Sequence, residues 1–178
     1  ETEVVQHFFD HESLQMPDAE TEARVLWRAD ALYISFRCRQ PGADALELKH
    51  ELRDKIGNYP RVEVFVDPRG DGQYRHYMID LFGNLHDERA EPQADGRNVL
   101  NRQWDGEVRH AVVRDGDGYT VELEIPASDL GGAIRPTARW RLSLCRDLAR
   151  PGGGRQAVAA VHMQGKGFHE PGLFPELR

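Results

Sequence analysis

The sequence predicts an all-β protein: one domain over residues 1–178, built as a two-sheet antiparallel, immunoglobulin-like β-sandwich. Three observations predict it. Apolar and polar residues alternate with a two-residue period in one short segment after another. Turn-forming Asp, Gly, Pro and Asn residues separate those segments. Helical periodicity is almost absent.

Val4 to Phe9 reads as a short opening strand, and the polar stretch Asp10 to Thr21, with Pro17, reads as loop. Ala23 to Arg28 and Ala31 to Cys38 are rich in aromatic and branched residues and are separated only by Ala29-Asp30, so they form a tight hairpin. Pro41-Gly42 closes it. Leu46, Leu48 and Leu52 are partly periodic and suggest a short helix over Ala45 to Lys55.

The most informative stretch follows. In Arg61-Val-Glu-Val-Phe-Val-Asp67, Val62, Val64 and Val66 share one face, and Arg61, Glu63 and Phe65 share the other. Asp67-Pro-Arg-Gly-Asp-Gly72 makes a turn. The strand Tyr74 to Phe82 then places Tyr77, Ile79 and Leu81 on one face, with His76, Met78 and Asp80 on the other. Two apolar rows can meet one core, leaving two mixed polar rows side by side on the opposite face.

Asn84 to Asn101 is polar and reads as a long loop with at most a short strand. Gly106 to Arg114 and Tyr119 to Pro126 alternate around Asp115-Gly-Asp-Gly118, a hairpin signal. Arg139 to Asp147 alternates Trp140, Leu142 and Leu144 against Arg141, Ser143 and Cys145. Arg150 to Arg155 is a glycine-rich loop, Ala157 to Met163 the last strand, and Gly165 to Arg178 an irregular tail.

Composition narrows the function classes. The 178 residues carry a formal charge of −7, which would repel rather than neutralise phosphate backbones, so nucleic acid is excluded as a partner. No apolar run is long enough for a membrane span. The chain opens at Glu1 rather than Met and reads as a processed or excised piece. Cys38 and Cys145 are too few for a four-cysteine zinc site; a bridge in an exported protein and two buried reduced thiols are both compatible with them. Gly-x-Ser-x-Gly, phosphate-loop and His-Glu-x-x-His motifs are missing, so no catalytic residues are assigned. Glu122 and Glu124 lie two apart on a strand and read as a solvated face rather than a glycosidase pair.

Three binding chemistries remain. Asp67 and Asp71 flank glycines in a turn, an oxygen-rich loop suited to calcium, although turns also need Asp and Gly for their own geometry. Met78 with a histidine such as His162 could hold haem, the less favoured cofactor, since a lone His or Met on a strand is more often structural. Carbohydrate asks for aromatic faces and bidentate polar groups. Arg61, Glu63, His76 and Asp80 supply the polar groups, Tyr59 and Phe168 are the candidate ring platforms, and Arg146 follows its strand towards the same rim. Trp27 and Trp140 read as core, and Trp104 is compatible with either role.

The order of motifs resembles the family-9 carbohydrate-binding modules and the wider DOMON-like β-sandwich group. The similarity runs through Ala23-Arg-Val-Leu-Trp27 with Leu32-Tyr33-Ile34, then Val62-Glu-Val-Phe-Val-Asp67, then Tyr77-Met-Ile-Asp80 with Gly83. It continues through Gly118-Tyr-Thr-Val-Glu122 with Ile125-Pro126 and ends in Phe168-His-Glu-Pro171 with Phe174 and Leu177. The resemblance implies non-catalytic binding of a polysaccharide or oligosaccharide, with Glu63 at the family's binding glutamate and Phe168 at its tail tryptophan. It also implies calcium near Asp67 and Asp71, and an exported or surface protein beside a glycoside-processing catalytic domain. The rivals are a haem-binding electron-transfer domain and a structural domain packed on an enzyme.

Overall fold

The computed structural model describes residues 3–17, 19–47, 56, 59–95, 97–135, 140–149, 154–161 and 167–176. The suggested helix over 45–55 lies largely outside the described residues, as do His162, Met163, Leu177 and most of the loop 150–155; a 3-10 turn at Ala43–Ala45 precedes that stretch.

Twelve strands follow in order: β1 (Glu3–Val5), β2 (Phe9–Asp10), β3 (Thr21–Trp27), β4 (Ala31–Arg39), β5 (Arg61–Asp67), β6 (Arg75–Asp80), β7 (Leu85–Pro92), β8 (Asn98–Asn101), β9 (Arg109–Asp115), β10 (Gly118–Pro126), β11 (Arg141–Ala149) and β12 (Arg155–Ala159). They form two antiparallel sheets, ordered β1-β3-β4-β10-β9 and β2-β12-β11-β5-β6-β7-β8. The predicted sandwich is therefore present.

The inner faces meet as the alternation requires. Val62, Val64 and Val66 of β5 are fully buried against Ile34 and Phe36 of β4 and Val121 and Ile125 of β10 within one core cluster. Burying each such side chain contributes about 1.5–3 kcal/mol. The β9–β10 hairpin turns at Gly116-Asp117, and Gly118 lies so close to β4 that a Cβ there would sit 1.9 Å from the Cys38 carbonyl oxygen.

Three expectations need correction. The opening segment is two strands in different sheets, because Phe8 between them turns inward and is buried in the core. The polar stretch after Gly83 contains two strands, β7 and β8, rather than a loop. Polar side chains in β7 are buried yet bonded, Asp87 accepting the Gly106 N–H at 2.6 Å and Glu88 meeting His76, so polarity there does not mean solvent. Third, Arg146 is fully buried between the sheets, on the face of Leu142, Leu144 and Leu148. Its guanidinium donates to Glu20 O at 3.0 Å, Thr21 Oγ1 at 2.8 Å and Arg39 O at 2.7 Å, and it lies over the Tyr119 ring. It ties β11 to β3 and β4.

Cys38 and Cys145 are both free and buried, and they belong to clusters on opposite faces of the larger sheet. The thiols therefore pack as small hydrophobes.

Two consequences are testable by urea denaturation. Arg146→Ala strands several buried acceptors and is expected to cost at least about 3 kcal/mol of stability. Gly118→Ala drives a methyl into the β4 backbone and is expected to cost about 1–3 kcal/mol. Unchanged denaturation midpoints would contradict this account of the core.

Candidate functional site: a charged cavity on the outer face of the large sheet

The outer face of the seven-stranded sheet has two halves. Phe65, Tyr74, Ala90, Cys145, Ala159, Phe168 and Phe174 form a second apolar cluster over one half. The tail supplies its lid: the 3-10 turn Pro171–Leu173 seats Phe174, and Glu176 bridges to Arg141 at the start of β11. The other half is a cavity of about 320 Å³ lined by Ile56, Arg61, Glu63, His76, Met78, His86, Glu88, Arg102 and His169.

The register builds the cavity floor. Antiparallel pairing sets Glu63 of β5 opposite Met78 of β6, which in turn faces His86 of β7, while His76 faces Glu88. His76 is the centre. Its Nε2 lies 2.9 Å from Glu63 Oε2 and its Nδ1 2.9 Å from Glu88 Oε1, and its ring stacks on Phe65 with centroids 3.9 Å apart. Around this row, Arg61 Nε donates to Glu63 Oε1 at 2.8 Å and its Nη2 lies 2.6 Å from Asp147 Oδ2. Arg102 Nε donates to Glu88 Oε2 at 3.3 Å, and His86 Nε2 lies 3.4 Å from the same oxygen.

These contacts set the charges. Burial alone would raise the Glu63 carboxyl, but bonds and charge from His76 and Arg61 outweigh it and hold the group at about 2. Glu88 is lowered in the same way, burial being overcome by His76, His86 and His169. His76 is raised above its ordinary value: burial opposes its charge, and the two flanking carboxylates prevail. As imidazolium it donates from both ring nitrogens and presents a cationic face to Phe65.

The sequence-predicted residues are placed as follows. Arg61, Glu63 and His76 come together in the cavity. Glu63 lies beneath it, both carboxylate oxygens already engaged, so it positions neighbours rather than reaching outward. Tyr59 packs edge-on against Phe82 at 4.8 Å and donates to Glu47 O, away from the cavity. Phe168 is buried, 6.4 Å from Phe65, and anchors the tail; its neighbour His169 reaches the cavity instead. Arg146 faces the opposite side, and Asp147, one residue on, is the β11 group that meets Arg61. Asp80 caps its own turn, accepting the Phe82 and Asn84 N–H groups at 2.9 Å.

Asp67 is fully buried and accepts backbone N–H groups from Arg69, Gly70, Asp71 and Gly72, while Asp71 accepts from Gln73. The amides of this loop therefore converge on Asp67, where a calcium site would present carbonyl oxygens. Met78 lines the cavity, and His162, its suggested haem partner, lies outside the described residues.

Sequence reasoning missed Glu88, His86 and Arg102 because they lie in and just after the stretch read as loop. The one available signal was the alternation of His86, Glu88 and Ala90 against Leu85 and Asp87.

The network makes stability pH-dependent with a defined sign. Glu63 has a lowered folded value, so its contribution is complete above 4.5 and is lost as pH falls towards about 2. His76 has a raised folded value, so its contribution is complete below 6.5 and is lost as pH rises through that elevated value. Maximal support from the network therefore falls between pH 4.5 and 6.5. Denaturation midpoints across a pH series should show both limbs in the parent chain and flatten in Glu63→Gln, where His76 should also titrate lower by NMR. An unshifted His76 would contradict the assignment.

Comparison with known proteins agrees with this architecture. The model of the "Carbohydrate family 9 binding domain-like" family matches residues 2–178. Among solved structures, a family 9 carbohydrate-binding module from Caldicellulosiruptor kristjanssonii in complex with cellotriose superposes with a TM-score of 0.69 at 16% identity, covering 98% of this chain and 82% of that one. A family 9 module from the same organism in complex with glucose gives a TM-score of 0.64 at 16% identity, covering 97% and 83%. No curated protein matches the sequence. With the family model spanning nearly the whole chain and the fold shared with these modules, the protein belongs to the carbohydrate family 9 binding domain-like family.

Proposed function

We propose that the domain is a non-catalytic carbohydrate-binding module whose ligand enters the cavity over Arg61, Glu63, His76, Glu88, Arg102 and His169. One observation carries this reading: charged groups of three adjacent strands, β5, β6 and β7, are locked by mutual bonds in the floor of an open cavity of about 320 Å³ whose rim holds Arg102 and His169. Sugar hydroxyls both donate and accept, so a rigid array holding cations and carboxylates together suits them. Because the array is pre-organised, binding need not freeze many side chains.

The two halves of the face divide the work. Buried Glu63 and His76 fix positions, while Arg102, with 72% of its side chain exposed, and His169, with 40%, are the groups free to reach a ligand. The structural neighbours bound to cellotriose and glucose make gluco-oligosaccharides the first ligands to try. We further propose that the domain carries an attached or partner polysaccharide-processing enzyme to its substrate outside the cell, a reading that family membership supports.

Arg102→Ala tests the cavity without disturbing the core. Loss of a charged hydrogen bond of about 1.5–3 kcal/mol should weaken binding tenfold or more by titration calorimetry against cello-oligosaccharides, with the melting temperature unchanged. Full affinity in that variant would place the ligand elsewhere.

A further inference from the structure

We propose that the same cavity holds a divalent transition-metal ion of the zinc type, bound by His76 Nδ1, Glu88 Oε1 and His169 Nε2. The proposal stands on ligand geometry and does not depend on the sugar reading.

The three donor atoms already converge. His76 Nδ1 is 2.9 Å from Glu88 Oε1, which is 3.9 Å from His169 Nε2, and all three atoms lie within 4.8 Å of one another. A tetrahedral ion with bonds of about 2.0 Å spaces its ligands roughly 3.3 Å apart, so only small side-chain shifts are needed. Two imidazoles and one carboxylate suit zinc, cobalt or nickel and disfavour calcium or magnesium, which take oxygen ligands. Three protein ligands leave a fourth position towards the cavity for water or a ligand hydroxyl.

The supporting contacts are those a metal site requires. With an ion at Nδ1, His76 keeps its Nε2 proton, and that nitrogen donates to Glu63 Oε2 at 2.9 Å, a carboxylate–histidine pair that fixes tautomer and ring plane. Phe65 stacks beneath the ring and bars rotation. On the other side, His169 Nδ1 lies 2.7 Å from the Tyr74 hydroxyl; donating its Nδ1 proton there leaves the Nε2 lone pair available to an ion. On binding, the His76 Nδ1 proton that now bonds Glu88 Oε1 is released to solvent and the ion takes its place. Arg102, bonded to the other Glu88 oxygen, is exposed enough to swing aside.

The test uses the untagged full chain, stripped of metal by chelator and free of glycan. Co²⁺ titration should give saturable binding of one ion per chain with the visible d–d bands of a low-coordinate site, and Zn²⁺ should displace it and raise the melting temperature. His169→Ala, a partly exposed position, should weaken binding at least about tenfold, and Glu88→Gln should do the same. Absence of saturable binding in the parent chain, or parent-like affinity in either variant with the fold intact by circular dichroism, would overturn the proposal. Because no sugar is present, either outcome leaves the carbohydrate reading to its own titration.

Discussion

Strand β5 can occupy only one register. It lies between β11 and β6, and a slip of one residue would drive Arg61, Glu63 and Phe65 into the core and expel Val62, Val64 and Val66. That all-or-nothing alternation fixes the inner face as hydrocarbon and the outer face as a place where ionisable groups must find one another. The outer face solves the resulting desolvation problem by pairing. His76 lies between two carboxylates, and Arg61 between Glu63 and Asp147, so each of these two buried cations has opposite charges within hydrogen-bond distance. Such a network brings little net stability over a hydrophobic substitute, but removing one member is costly, and its geometry is rigid.

Rigidity is what recognition needs. The apolar lid formed by Phe65, Tyr74, Phe168 and Phe174 clamps one side of the His76 row, and the tail it anchors delivers His169 to the cavity edge. Aromatic burial thus sets a polar group in place, a different use of the tail from a ring stacked directly on a sugar. In this member of the family the cavity is lined by charged and imidazole groups with Ile56 and Met78, while its aromatic rings lie beneath the charges or behind them.

Much of this was legible in the sequence. Period-two alternation located the two central strands and both their faces, as well as the β3–β4 and β9–β10 hairpins. That Arg61, Glu63 and His76 come together was legible because they share the outer face by parity alone. The same parity places Arg146 with Leu142 and Leu144 in the core, and reading it as a rim residue ignored that rule. What the sequence hid was of another kind. Polar β7 looks like loop because its buried groups are satisfied by partners distant in sequence, Glu88 by Arg102 and Asp87 by Gly106. Nor does spacing show that Phe168 turns in while His169 turns out, since the tail lacks a regular period. Asp67 carried two readings, and the four backbone donors that cap its turn are visible only in three dimensions.

The account depends on the ligand meeting the outer face of the seven-stranded sheet at the His76 row. Amide chemical-shift mapping during an oligosaccharide titration tests this most directly. The structure predicts that the largest shifts cluster on Glu63, His76, His86, Glu88, Arg102 and His169. Shifts concentrated instead on the five-stranded sheet, around Tyr33, Arg109 and Glu122, would contradict it.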